Sequence, residues 1–108
     1  MIYELREYQA PPGKLDSLST RFKDHTMSLF ARHGIKPIGF WTDGEDANSN
    51  TLTYMIAFDS DEEREACWNS FKEDPEWKAI RRETEEDGPI VESIKATLLR
   101  PTEYSPLQ

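Results

Sequence analysis

Residues 51–58 read TLTYMIAF, and this stretch decides the fold. Leu52, Tyr54, Ile56 and Phe58 alternate with Thr53, Met55 and Ala57, the period-two pattern of a β-strand. Neither set is strongly polar, so both faces of the strand need cover, which places it in the interior of a sheet. One face is expected to meet helices. The other needs something more.

Outward from this strand, the flanking elements follow. DGEDANSN (43–50) is a polar loop, and IKPIGFWT (35–42) before it is a strand. Pro37 has no amide hydrogen to give a ladder, so this strand belongs at a sheet edge. Further upstream, IYELREY (2–8) is a strand and APPG (10–13) breaks it. Between Lys14 and His33 the apolar residues Leu15, Leu18, Phe22, Leu29 and Phe30 fall at helical spacing, with Gly34 as a C-terminal stop. Downstream, DSDEEREACWNSF (59–71) starts a helix with a capping box, Ser60 as cap and Glu63 reaching back. DPEW (74–77) puts Pro75 in the first turn of a renewed helix that runs through Ile80 until DGP (87–89). IVESIKATLLR (90–100) is the last strand.

The order is βαββαβ. Right-handed crossovers fold it into an α+β, ferredoxin-like domain over residues 1–100, a four-stranded antiparallel sheet with its helices on one face. The strands at 2–8 and 51–58 are central. A single domain of 108 residues has no element left for the second face. A second copy of the chain, sheet against sheet, is the simplest cover. The tail PTEYSPLQ has a place in that picture: residues 101–108 cross onto the partner, where Tyr104, Pro106 and Leu107 exchange solvent for apolar surface.

Thirteen basic and 21 acidic residues give a formal net charge of −8. Phosphate backbones and anionic headgroups are repelled by such a surface, which argues against nucleic-acid and membrane partners. Cys67 is the one cysteine, so no intramolecular disulfide forms. MIYELREY resembles no signal peptide, and no apolar run approaches the ~20 residues of a membrane span. These features predict a soluble, reduced, cytoplasmic protein.

Several stretches also resemble a known family. MIYELREYQAPPGK, HTMSLFARHGIKPIGFWT, DPEWKAIRRETEEDGP and LLRPTEYSPL are similar, in this order, to the NIPSNAP proteins, with HGIKPIGFWT and RPTEYSPL the most distinctive. The resemblance is to a single-domain, bacterial-type member. It implies a homodimeric α+β barrel, two ferredoxin-like sheets closing together. It also implies kinship with a superfamily that includes cofactor-independent monooxygenases, haem-degrading enzymes and small isomerases.

Candidate site residues are few. His25 lies at one margin of the first helix's apolar stripe, where an imidazole points into a pocket or bonds a neighbour at the boundary. His33 suits a helix end. Eight residues separate the two histidines, a rise of ~12 Å, too far for one metal with ligands at ~2 Å, so no metal site is expected. Glu4 and Arg6 share one face of a central strand, the face assigned here to the dimer. There they form either a grip on a substrate carbonyl or carboxylate or an ion-pair network between subunits. Trp41, Tyr54, Trp68 and Trp77 are either core or the aromatic walls of a cavity for a flat apolar ligand. No nucleophile and no phosphate-cradling glycine loop is present. The functional expectation is a small apolar molecule bound inside the barrel by Arg6, Trp41 and Trp68. The alternative is a cofactor-independent oxygenase or isomerase acting on a carbonyl compound, with His25 and Tyr54 carrying protons. A protein-interaction module is a further alternative, requiring an apolar patch left exposed after dimerisation.

Overall fold

A computed structural model describes residues 1–108. Strands β1 (Ile2–Gln9), β2 (Lys36–Thr42), β3 (Thr51–Phe58) and β4 (Ser93–Leu99) form one sheet in the order β2-β3-β1-β4, with each neighbouring pair antiparallel. β1 and β3 are central and β2 is an edge, as Pro37 requires. Helices α3 (Asp61–Glu73) and α4 (Pro75–Thr84) follow β3. Between β1 and β2 runs a helical stretch of three parts: α1 (Leu15–Arg21), a π turn (Phe22–Thr26) and α2 (Met27–Arg32). The result is a slab of 45 × 37 × 19 Å, thin enough for one helix layer on one sheet.

Local chemistry sets the element ends. Ser60 Oγ accepts the Glu63 amide, and the Glu63 carboxylate accepts the Asp59 amide, one residue earlier than a strict capping box. Asp74 caps α4 by accepting the Glu76 amide at 2.8 Å, with Pro75 in the first turn. At the end of α2, Gly34 takes φ +75° and its amide donates to Ala31, while Ile35 donates to Phe30. This is a Schellman closure, which an L side chain resists. The last strand is shorter than its apolar pattern predicts. Ile90 lies before it in a loop, buried at 2 % exposure, because it serves the core and not the ladder.

The core lies between helices and sheet. Leu52, Tyr54, Ile56 and Phe58 of β3 are all buried on this face against Leu18, Phe22, Leu29, Phe30, Trp68 and Phe71. On the opposite face Thr53, Met55 and Ala57 are only half-covered. The tail lies across that face of its own chain. Pro101, Ser105 and Leu107 pack near Tyr3, Met55 and Leu99, and the Tyr3 hydroxyl donates to the Gln108 carbonyl. Tyr3 is buried by this cover, whereas Tyr104 stays 85 % exposed.

Two expectations are corrected. Glu4 and Arg6 do not face away from the helices. Pairing sets Glu4 opposite Ile56 and Arg6 opposite Tyr54, so both join the helix face, while Tyr3, Leu5 and Glu7 take the open one. Alternation separates two faces without saying which one meets the helices. The first helix is also not uniform. Its π turn adds a residue to the circuit, turning Thr26 inward and leaving His25 exposed.

Candidate functional site: a cleft between helices and sheet

A cavity of about 280 Å³ opens between the helix layer and the β1–β4 half of the sheet. β1 contributes Arg6 and Tyr8, and β4 contributes Ile94. Arg21, Phe22 and Thr26 come from the end of α1 and the π turn, Trp68 and Phe71 from α3, Trp77 and Arg81 from α4. The π turn therefore faces the cavity, a place where such turns often serve function.

The floor is a polar network inside an aromatic shell. The Glu4 carboxylate, 0 % exposed, accepts from Arg6 Nη1 at 2.6 Å, Arg64 Nε at 2.7 Å and Trp68 Nε1 at 3.0 Å. Arg6 also donates from Nε to the Tyr54 hydroxyl at 2.9 Å and from Nη2 to the Tyr8 hydroxyl at 3.0 Å. Its guanidinium lies 4.5 Å from the centre of the Trp68 ring. Burial alone raises the Glu4 pKa, but hydrogen bonds from Arg6, Arg64 and Trp68 outweigh it and hold the group below the usual carboxylate range. Burial disfavours the Arg6 charge too, yet its tyrosine and carboxylate neighbours leave its pKa raised.

Tyr8 and Tyr54 stand 2.9 Å apart, oxygen to oxygen. Both accept from Arg6, so one hydroxyl hydrogen serves the bond between them and the other is left over. Tyr54 is wholly buried, while Tyr8 lines the cavity. With Tyr54 donating to Tyr8, the spare hydrogen is presented to the cavity by Tyr8. Burial, with Tyr8 adding to it against the pull of Arg6, pushes the Tyr54 phenol well above its ordinary value. A phenol held protonated in this way does not serve as a base.

Arg21 closes the far side. It is 5 % exposed, and its Nη1 donates to Thr84 and Glu85, each at 3.2 Å. Its guanidinium lies 5.1 Å from the centre of the Trp77 ring. Its Nε–H, also buried, has no acceptor. Burial lowers the Arg21 pKa, and Glu85 only partly opposes it.

The candidates from the sequence thus divide. Arg6, Tyr54 and Trp68 come together in and behind this cleft. His25 points to solvent from the π turn. Trp41, 50 % exposed, lies on the open sheet face with its ring over Gly39, because its cross-strand partner is Thr53. Trp77 packs α4 back on α3 through Phe71, ring centres 4.8 Å apart. Tyr8 and Arg21 were not singled out. Tyr8 follows Glu4 and Arg6 by period two and shares their face, and Arg21 lies three residues after buried Leu18, beside the apolar stripe of the first helix.

One cluster has the composition of a hydrolase triad and lacks the rest. His33 bonds Ser70 through Nδ1 and Asp74 Oδ2 through Nε2, the latter at 2.6 Å. Ser70 lines none of the main cavities, its amide is inside α3, and Asp74 is occupied by Arg32 and the α4 amide as well. The cluster ties three helices together. Cys67 is no better a nucleophile: burial, then Glu63, raises its pKa against the opposing charge of Lys36. No group of three or more His, Cys, Asp or Glu side chains is placed to hold a metal ion, and no helix is long and apolar enough to cross a membrane.

Residues 3–106 match the family model for NIPSNAP. The chain belongs to the NIPSNAP family. Similar solved structures agree with this. A NIPSNAP family protein of unknown function from Agrobacterium tumefaciens is 21% identical, covers 100% of this chain and 94% of its own, and superposes with a TM-score of 0.86. An uncharacterized NIPSNAP domain protein from Burkholderia xenovorans is 22% identical over 98% of this chain and 99% of its own, with a TM-score of 0.83. The fold extends further. A putative antibiotic biosynthesis monooxygenase from Nitrosomonas europaea is 12% identical, with a TM-score of 0.64 over 94% of this chain and 98% of that one. No match was found among curated proteins. For this NIPSNAP chain the matches establish a ferredoxin-like α+β fold.

Proposed function

We propose that this NIPSNAP domain binds a small, flat, largely apolar molecule in the cleft between its helices and sheet, as a homodimer. The observation that carries this reading is the pairing of an aromatic wall with one spare hydrogen-bond donor. Phe22, Phe30, Trp68, Phe71 and Trp77 supply the wall, and Tyr8, held by Arg6 and Tyr54, supplies the donor. A 280 Å³ cavity is about twice the ~150 Å³ that accommodates benzene, the size of one or two fused rings with a substituent. The ligand's carbonyl or hydroxyl oxygen accepts from Tyr8 while its ring lies along Trp68.

The second copy follows from the open sheet face. Trp41, Leu99 and Leu107 are each at least 38 % exposed on or beside it, and a partner's matching face covers them. In the dimer, Tyr104 crosses to the partner. Native mass spectrometry of freshly purified protein tests both parts, with a dimer mass and a small co-purifying organic molecule expected. A monomer that takes up no aromatic probe overturns the reading.

The fold shared with a protein described as a monooxygenase favours one second reading, a cofactor-independent oxygenase or isomerase acting on a carbonyl compound. Tyr8 is then its proton donor, since His25 lies outside the cleft. Binding ranks first because no base lines the floor beside Tyr8: Glu4 is fully engaged and Tyr54 is held neutral.

A further inference from the structure

We infer that the molecule bound in this cleft is an acid, and that its carboxylate is held by Arg21. The inference rests on the cleft being a small-molecule site and adds the charge of the ligand and the residue that reads it.

Three observations converge on it. The first is the orphan donor. Buried N–H groups almost always have an acceptor, and a charged donor left without one is costly. Arg21 is 95 % buried by its 5 % exposure, lines the cavity, and leaves Nε–H unpartnered. The second is charge. With Arg6 matched by Glu4 beneath it, the cavity lining keeps Arg21, Lys72 and Arg81 against a single acid, Glu85, three positive charges to one in a chain whose net charge is −8. Glu85 serves both Arg21, at 3.2 Å, and Arg81, at 3.4 Å, while Lys72 at the mouth has no carboxylate within salt-bridge distance. A local excess of positive charge in a low-dielectric cleft concentrates anions. The third is position. Trp77 lies against the Arg21 guanidinium and Tyr8 occupies the floor, so an aromatic acid meets a stacking ring, a carboxylate donor and a phenol in one cavity.

A matched pair of probes tests this. 2-Naphthoate and its neutral isostere 2-naphthamide are titrated calorimetrically into wild-type protein and into Arg21→Met, which keeps the side chain's length without its donors. Naphthoate is expected to bind wild type at least about tenfold more tightly than naphthamide, the size of a hydrogen bond to a charged group. Arg21→Met is expected to erase that gap, leaving the two probes with equal affinities. Equal binding of both probes by wild type overturns the acid assignment and leaves the cleft as an apolar site. Binding of neither overturns both readings. A gap that persists in Arg21→Met removes Arg21 from the role. If Arg21→Met does not fold, Arg21→Gln, which removes the charge and keeps a donor toward Thr84, takes its place, and a gap undiminished in that variant is equally decisive against the assignment.

Discussion

Glu4 Oε2 lies 2.6 Å from Arg6 Nη1, and the carboxylate is entirely out of solvent. The same carboxylate holds Arg64 and Trp68, so a single residue organises the floor of the cleft and fixes the side of Arg6 that faces the tyrosines. Glu4→Gln removes the charge that two guanidiniums share. It is expected to destabilise the fold by about 3 kcal/mol, the lower end for breaking a buried pair because both arginines keep some solvent contact. Replacing the pair together, Glu4→Leu with Arg6→Met, should cost more than Glu4→Gln, since it leaves Arg64 and the Trp68 Nε1–H without an acceptor that Gln still offers. Urea unfolding of the variants checks the order.

Tyr8→Phe removes the spare hydroxyl and keeps the ring. Affinity for a ketone probe such as 2-acetylnaphthalene is expected to fall about fivefold to tenfold, while naphthalene, which offers no acceptor, binds as before. Equal loss for both probes places the phenol outside the contact with ligand.

Asp74 has its pKa held down to about 2 from an ordinary 3.8, by the His33 hydrogen bond first, with the Glu76 amide and Arg32 adding to it against burial. A depressed folded-state pKa contributes stability above the unfolded value and loses it as the pH falls through the folded one. The melting temperature of wild type should therefore drop between about pH 4 and pH 2, and Asp74→Asn should flatten that part of the curve while melting lower at neutral pH. Thermal scans across that range decide it.

Gly34→Ala tests the closure of α2. A Cβ there meets only Cys67 Sγ, at 3.5 Å, an ordinary contact, so the cost is the left-handed backbone at φ +75°. A loss of about 1–2 kcal/mol is expected, seen as a lower urea midpoint with an unchanged slope.

Trp41→Asp places a charge on the open sheet face, where the side chain is already half-exposed in one copy. If two copies join through this face, sedimentation at micromolar concentration shifts from dimer to monomer while the far-ultraviolet spectrum is kept. A dimer that survives the substitution uses another surface.

The element order, the central place of TLTYMIAF, the edge position imposed by Pro37, the caps at Ser60 and Gly34 and the helix start at Pro75 are all legible along the chain. Each is written in a few neighbouring residues, since caps, turns and strand period are local physics. The sequence also carried the family, in stretches spread along nearly the whole chain. Which face of β1 meets the helices was not legible there; strand pairing in three dimensions sets it. Glu4, Arg6 and Tyr8 alternate with Tyr3, Leu5 and Glu7, and the local pattern assigns the charged pair to the face turned away from the helices, toward a second copy. Pairing with Ile56, Tyr54 and Leu52 sends them inward, because partners across a sheet belong to distant segments. The π turn is the other decision of the fold. Regular periodicity puts His25 at the margin of the helix, but one widened turn leaves it exposed and turns Thr26 inward to the cavity, a shift invisible to any repeat counted along the chain.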